Sequence, residues 1–239
     1  MKRKISPYNF IIGLSTVVLI LLTSVLFGYS FVNKGLIVAS SAQIGFSYYC
    51  VEVGKFQEFA EAQSKANEVM KKGGAGYIFY DKGFRVFVSC YLSNNDAQSV
   101  AIKNDSASVY ELKIKPFEFS VNSSQNINQI FKNNLLTFKN CITTLNSLII
   151  DYQQKKINEA TVRTNCILLA EEIDMQIEKF NNIFYESAKM YRYKNLINSF
   201  KDCFSKIVSF DISGVDFVRT INYQQISAVV TLRNILLAM

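Results

Sequence analysis

The sequence predicts an α+β protein built from three parts in order: an N-terminal transmembrane helix, a four-stranded antiparallel sheet with two helices on one face, and an all-α helical bundle. Three observations lead to this prediction. An uncharged apolar run lies near the N-terminus, a strand-and-helix pattern then occurs twice, and apolar residues at helical spacing fill the remainder. We place the three parts at residues 1–45, 46–115 and 116–239.

The first part has the length and composition of a membrane span. No charged residue occurs between Ile5 and Asn33, and the run Phe10–Val32 is mostly Ile, Leu, Val and Phe. About 20 such residues cross a bilayer. Basic residues at positions 2–4 precede the run and only Lys34 closely follows it, which predicts a cytoplasmic N-terminus and extracytoplasmic C-terminal domains. We therefore expect a single-pass protein of the cell membrane.

A cleaved secretory signal peptide is the alternative interpretation of this run. The apolar region of a signal peptide is about 7 to 15 residues long, which is shorter than Phe10–Val32. The small-residue sequence ASSA at positions 39–42 also lies well beyond the apolar end. An uncleaved anchor is the preferred prediction.

The net charge of +7 does not indicate a nucleic-acid partner. Residues 1–45 carry four basic and no acidic groups, residues 46–115 carry nine and eight, and residues 116–239 carry thirteen and eleven. More than half of the surplus therefore flanks the apolar run. No region has the concentrated basic patch that nucleic-acid binding usually needs.

The second part contains an internal duplication. Shifting the chain by 35 positions aligns two alternating strand patterns, YCVEVGKF and FRVFVSCY, and the small residues of the helix after each. Small residues four apart share one face of a helix, where they allow close packing on a sheet. The aligned pairs are Val51 with Val86, Val53 with Val88, Gly54 with Ser89, Phe56 with Tyr91, Ala62 with Ala97, and Ala66 with Ala101.

Two further strands complete this part. Tyr77–Tyr80 reads as a strand, and Asp81-Lys82-Gly83 is a hairpin signal that leads into the second repeat. The run Val109–Lys115 alternates again and is followed by Pro116. The predicted order is βαββαβ.

The alternation also predicts which way each strand residue faces. We expect the repeat valines at 51, 53, 86 and 88 to face the two helices, and Phe84 with them. Glu52, Arg85 and Phe87 should lie on the opposite face, which the prediction leaves open to solvent or a ligand.

On these residues, the segment from about 46 to 115 resembles the SPOR domain, a small module of bacterial cell-envelope proteins. The first and third strands of that family typically read aromatic-x-Val-Gln-x-Gly-Ser-Phe and Tyr-Arg-Val-x-Val-Gly-Pro-Phe, each with Ala eight residues after the glycine. The corresponding residues here are Tyr49, Val51, Glu52, Gly54, Lys55, Phe56 and Ala62, then Phe84, Arg85, Val86, Val88, Ser89, Cys90, Tyr91 and Ala97.

The resemblance implies binding of septal peptidoglycan, through glycan strands that lack stem peptides, across the open sheet face. It assigns the sugar contacts to Glu52, Lys55 and Arg85, with Phe87 as a stacking surface. Only Arg85 keeps the family's residue, since Glu52 stands where the family has Gln and Lys55 where it has Ser. An ionised Glu accepts hydrogen bonds but cannot donate them, so the recognised pattern changes. A SPOR-like fold that binds a protein instead of glycan is the alternative.

The third part predicts a four-helix antiparallel bundle. Three stripes recur at three- and four-residue steps, and a fourth apolar segment runs to Met239 after Ser213-Gly214. We interpret the stripes as core packing, and proteins of the division or sporulation machinery as possible partners. The stripe residues are Phe131, Leu135, Phe138, Ile142, Leu145, Ile149 and Tyr152; Val162, Cys166, Leu169, Ile173, Ile177, Phe180 and Phe184; and Tyr193, Ile197, Phe200, Phe204 and Ile207.

Enzymatic chemistry is not expected. The chain has no histidine, which excludes histidine triads and histidine metal sites. Glu171, Glu172 and Asp174 could form a carboxylate pair for glycan cleavage, but on a helix beside an apolar stripe they fit a solvated face better. No cofactor or metal site is predicted.

The five cysteines show no metal-like spacing. If the two repeats lie side by side, Cys50 is level with Arg85 and Cys90 with Lys55, about 17 Å apart at about 3.3 Å per residue. That separation predicts that Cys50 and Cys90 cannot pair. Cys141, Cys166 and Cys203 are expected in the bundle core.

Two hypotheses for function follow. The first is a membrane-anchored, non-catalytic protein that binds septal peptidoglycan in division or sporulation. The second is an anchored scaffold that binds proteins of that machinery through a SPOR-like fold without glycan binding.

Overall fold

A computed structural model describes residues 46–104, 106–114, 125–181 and 188–238. The first elements in chain order are β1 Phe46–Phe56, α1 Phe59–Lys71, β2 Tyr77–Tyr80, β3 Phe84–Tyr91, α2 Asn94–Ala101 and β4 Ser108–Ile114. Four longer helices follow: α3 Gln125–Gln153, α4 Glu159–Asn181, α5 Ala188–Ser209 and α6 Gly214–Ala238.

The four strands form one antiparallel sheet in the order β2-β3-β1-β4. This confirms the predicted βαββαβ arrangement. Because α1 carries the chain back across the sheet, β2 runs in the same direction as β1, and the β2–β3 hairpin then makes β3 antiparallel to its central neighbour β1.

Helices α1 and α2 cover one face of the sheet, as predicted. Ala62 and Ala66 of α1 pack with Val86, and Ala97 and Ala101 of α2 pack with Val51. The alanines let each helix approach the sheet closely. Val53, Phe84 and Val88 are partly buried on this same face, which confirms the predicted orientation of the repeat valines.

The pairing of β1 with β3 slips twice, at equivalent points of the two repeats. Val51 pairs with Ser89 and Glu52 with Phe87, which leaves out Val88. Gly54 then pairs with Val86, which leaves out Val53. A slip of this kind changes which residues share a face. The second slip cancels the first, so Lys55 lies opposite Arg85 in the same register that places Cys50 opposite Cys90.

The opposite face of the sheet is covered by the helices that follow it. Phe87, Phe79 and Leu112 of the sheet belong to one hydrophobic core with residues of α3 to α6, and Phe87 is 0% exposed. The prediction that this face is open is therefore wrong. Its apolar side chains are removed from water by contact with the long helices, and burial of this apolar surface stabilises the packing of the helices on the sheet.

Four helices were predicted after the sheet, and the described part of the chain contains four. The α3–α4 and α5–α6 connections, residues 154–158 and 210–213, are short, as expected between neighbouring antiparallel helices. α3 contacts α4 and α6, and α5 lies between α4 and α6 in the contact pattern. The stripe residues from 180 to 187 lie outside the part whose side chains are described.

Residues 43–239 form one compact unit. The predicted boundary between sheet and bundle, at residues 115 and 116, lies outside the described residues and stays a prediction. Across that boundary the two parts share a single core.

The predicted fold needs a correction at its start. Within the described ranges, no helix is both long enough and apolar enough to cross a bilayer. α6, which ends in a strongly apolar run, also carries Asp216, Arg219 and Arg233. The predicted span Phe10–Val32 lies outside the described residues. The four long helices α3 to α6 follow the sheet, and the described residues do not support a fold that begins with a transmembrane helix or a single-pass localisation.

Candidate functional site

Four polar side chains meet on the covered sheet face. They are Glu52, Asp81, Arg85 and Tyr110, and we call them the Arg85 cluster. Arg85 donates from Nη1 to Glu52 Oε2 at 2.6 Å. Its Nε lies 3.4 Å from Asp81 Oδ2, an ion-pair distance without hydrogen-bond geometry. The Tyr110 hydroxyl donates to the same Asp81 oxygen at 3.0 Å. The guanidinium carbon lies 4.3 Å from the centre of the Tyr110 ring.

The charged groups of the cluster are paired with one another within the chain, although Arg85 Nε makes no hydrogen bond. Two carboxylates face one guanidinium, which also stacks on an aromatic ring. Burial, followed by the hydrogen bond to Asp81, raises the pKa of Tyr110. The hydroxyl therefore stays protonated at neutral pH and can act as the donor to Asp81.

An aromatic stack continues from the cluster. The Tyr110 and Phe87 rings are 5.6 Å apart with an interplanar angle of 27°, and Phe87 and Phe79 are 5.8 Å apart at 25°. Arg233 of α6 lies over Phe79, with its guanidinium carbon 5.6 Å from the ring centre. The stack thus has a guanidinium at each end, and the second one belongs to the helix that covers the sheet.

A second aromatic contact joins the same helix to the sheet. The rings of Tyr77 in β2 and Tyr223 in α6 lie 5.0 Å apart. Together with Arg233, this contact fixes α6 against the β2–β3 side of the sheet.

The structure brings three of the four predicted site residues together. Glu52 is 8% exposed and Phe87 0%, and the Arg85 side chain is 17% exposed. Lys55 is exposed; it lies opposite Arg85 in the β1–β3 register but outside the network. Glu52 binds Arg85, Phe87 stacks on Tyr110 of the same cluster, and α6 covers their face. These residues therefore do not form the open surface that the sequence predicted.

Sequence reasoning missed three residues of this site. Asp81 was interpreted only as part of a hairpin signal, and Tyr110 only as an alternating strand residue. The pairing of Tyr110 in β4 with Cys50 in β1 places the Tyr110 side chain on the covered face. Arg233 was interpreted only as a charge that interrupts an apolar run. A charged residue in such a run is the sequence feature that could have indicated its contact with Phe79.

A cleft of about 490 Å³ lies on the other face, between α1 and the residues that follow α2. Three lysines line it, but two of them, Lys65 and Lys72, bind the same carboxylate of Glu68 at 3.0 and 2.8 Å. The hydrogen bonds from Lys72 and Lys65 lower the pKa of Glu68 to about 2. This neutralisation makes the cleft a weak candidate for an anion site. Its lining is Val53, Lys65, Glu68, Val69, Lys72, Gly74, Val88, Lys103, Asn104 and Ser106.

The predicted separation of Cys50 and Cys90 is wrong. The two residues are direct partners in the β1–β3 pairing, and their sulfur atoms are 3.3 Å apart. The error came from placing the repeats side by side in the same direction, whereas antiparallel neighbours meet at mirrored positions.

The remaining cysteines are buried, as predicted. Burial raises the pKa of Cys166 to about 12 and that of Cys203 to about 11. Thiols with such pKa values are protonated at neutral pH and are poor nucleophiles.

The carboxylates considered for glycan cleavage do not converge. Asp174 forms an ion pair with Lys201 at 2.5 Å. Burial raises the pKa of Glu172, which lies half-buried beside the core of α3 and α4, whereas Glu171 is exposed. Within the described residues, no group of three or more metal-ligating side chains is present.

No protein-family model, curated protein or solved structure matches the chain. The resemblance to the SPOR family stays a prediction that rests on the residues quoted above.

Proposed function

We propose that the chain is a non-catalytic scaffold of the bacterial division or sporulation machinery, which uses a SPOR-like fold to bind proteins and not glycan. The expectation of an envelope role comes from the resemblance to the SPOR family. The preference for a protein partner comes from the covered sheet face.

The state of that face is the observation that carries the proposal. Phe87, the proposed stacking surface for sugars, has no exposed area, and Glu52 has 8%. Arg85 already donates a hydrogen bond to Glu52 and stacks on the Tyr110 ring. A glycan strand could reach Phe87 and Glu52 only if α6 moved away, and that would expose the shared core.

Exposed apolar side chains on α4 support a protein partner. Ile167, Leu168 and Met175 are 43%, 56% and 53% exposed. Leu168 and Met175 are seven residues apart and so lie on the same side of the helix. Exposed apolar groups that recur on one helix face are typical of protein-binding surfaces.

Glycan binding remains the second candidate because of one observation. Lys55 is exposed and lies opposite Arg85, so the β2–β3 end of the sheet presents one free cation next to a partly exposed one. A sugar carboxylate could bind there without displacement of α6.

Sedimentation with purified sacculi separates the two candidates. The full chain should pellet equally with intact sacculi and with sacculi whose stem peptides an amidase has removed. Specific enrichment on the stripped sacculi, lost in Lys55→Ala, would favour the glycan candidate and overturn the scaffold proposal.

A fluorescent fusion in the native bacterium tests the protein partner. We expect Leu168→Glu with Met175→Glu to abolish recruitment to the septum, because charges would replace the apolar contact. Lys55→Ala should leave recruitment unchanged. All three positions are exposed, so neither variant should lower the melting temperature, and a melting curve of each purified chain provides that control.

A further inference from the structure

Cys50 and Cys90 face each other across the two central strands. They are paired residues of β1 and β3, and Cys50 donates its S–H to Cys90 at a sulfur–sulfur distance of 3.3 Å. Their exposed fractions are 0% and 1%. Both side chains belong to the core on the covered face of the sheet.

The geometry of this pair meets the requirements of a disulfide. Directly opposed residues in antiparallel strands have Cα atoms about 4.5 to 5.5 Å apart. Disulfides span Cα separations of about 4.4 to 6.8 Å, with sulfurs at about 2.05 Å. Because both side chains already point to one side, small side-chain rotations can close the remaining gap.

We propose that Cys50 and Cys90 form a disulfide that joins β1 to β3. The oxidant is a second disulfide, either a small molecule such as oxidised glutathione or a protein dithiol oxidase. One cysteine thiolate attacks that disulfide and releases the first thiol as leaving group. The other thiolate then attacks the mixed disulfide, releases the second thiol and completes the bond. Two protein thiols are oxidised, one disulfide is reduced, and two protons pass to the released thiols.

The buried position determines when the exchange can occur. The hydrogen bond to Cys90 and burial raise the pKa of Cys50, so this thiol is protonated in the folded chain, and burial shields both sulfur atoms from reagents. Exchange is therefore expected while the chain folds. Once closed, the bond lies in the core, where reductants reach it slowly.

The bond would constrain the unfolded chain strongly. The two cysteines are 40 residues apart in sequence. Closure of a loop of that length in the unfolded state should raise the Tm on the order of 10 °C for a chain of this size.

Peptide mapping tests the proposal. The full chain is denatured, reduced, refolded in a glutathione redox buffer, and then alkylated with N-ethylmaleimide in denaturant. After trypsin digestion, mass spectrometry should show peptides 35–55 and 86–103 joined by a disulfide. Cys141, Cys166 and Cys203 should be alkylated. The two peptides recovered separately and alkylated, or Cys50 joined to one of the other three cysteines, would overturn the proposal.

Matched alanine variants provide the control. Cys203→Ala removes another buried thiol and should leave the joined peptides and the Tm difference between oxidised and reduced protein intact. Cys90→Ala should abolish both. Cys50→Ala should do the same, which keeps the test decisive if one variant fails to fold. An oxidised protein with the Tm of the reduced one would contradict the expected constraint.

Discussion

Arg85 and Glu52, two residues expected to bind a ligand, bind each other: the guanidinium Nη1 lies 2.6 Å from the Glu52 carboxylate, and both side chains are largely buried. A buried charge that has a close partner is tolerated, whereas one that loses its partner is costly. The pair therefore has a structural role that the sequence did not indicate.

Glu52→Gln should destabilise the fold. The amide is neutral and would leave the buried Arg85 with only Asp81 as an ion-pair partner. We expect a loss of about 1.5–3 kcal/mol, the range for hydrogen bonds to charged groups. Urea denaturation of the full chain measures it. Glu111→Gln is the control, because Glu111 is exposed on β4, and it should lower the stability much less than Glu52→Gln. Equal stability of Glu52→Gln and the wild type would show that the pair contributes nothing.

Phe87→Ala should lower the free energy of unfolding by about 3–5 kcal/mol, because it removes a fully buried ring that stacks on two others. Phe59→Ala is the control, since Phe59 is 53% exposed and should cost much less. Denaturant midpoints of both variants check the difference. Similar costs for the two would mean that the sheet face is not packed as described.

Arg163→Ala should destabilise the α5–α6 connection. The guanidinium of Arg163 donates to two backbone carbonyls at the end of α5 and to two in the α5–α6 connection, at 2.7 to 3.0 Å, and also binds Glu159. We expect a loss of about 3 kcal/mol, and Arg163→Lys should recover little of it because an ammonium lacks the planar fork. Thermal or urea unfolding measures both variants. The carbonyls are those of Ile207, Val208, Phe210 and Ile212.

Arg219→Ala is the control for that measurement. Arg219 forms an exposed pair with Asp216 three residues away, and pairs of this kind contribute about 0–1 kcal/mol. If Arg163→Ala cost no more than Arg219→Ala, the cap on α5 would have no energetic role.

Glu172→Gln should raise stability at neutral pH and leave it unchanged in acid. Burial raises the pKa of Glu172 in the folded protein above the ordinary value of about 4.3. Its protonated form therefore favours folding below about pH 4.3, and that contribution is lost as the pH rises through the folded value. Urea midpoints between about pH 4 and 8 should fall less steeply for the variant than for the wild type. Glu171→Gln, at an exposed position, should follow the wild-type curve.

The sequence predicted the strands and helices better than it predicted how they pack on one another. The alternation in both repeats correctly assigned Val51 and Val86 to the helix-covered face, because strand periodicity is a local property. It also placed Phe87 on the opposite face. The packing of α6 on this face depends on contacts between residues more than 100 positions apart, such as Phe79 and Arg233. A local sequence pattern does not predict such contacts.

The candidate site shows the same limit. Glu52, Arg85 and Phe87 were correctly expected to share a face, but their contacts with one another were not. The error over Cys50 and Cys90 had a different cause. The predicted topology already required β1 and β3 to be antiparallel, but the residue pairing was predicted as if the two strands ran in the same direction.

Hydroxyl-radical footprinting of the full chain tests most directly whether the helices cover the sheet face. Phe79 and Phe87 lie under α6, at 7% and 0% exposure, whereas Tyr80 and Phe59 are 67% and 53% exposed. After a short radical pulse and tryptic digestion, mass spectrometry gives the oxidation rate of each ring. A covered face predicts that Phe79 and Phe87 are oxidised many-fold more slowly than Phe59, and that the difference disappears in denaturant. Oxidation of Phe87 as fast as that of Phe59 in the native chain would contradict a covered face and with it the scaffold proposal.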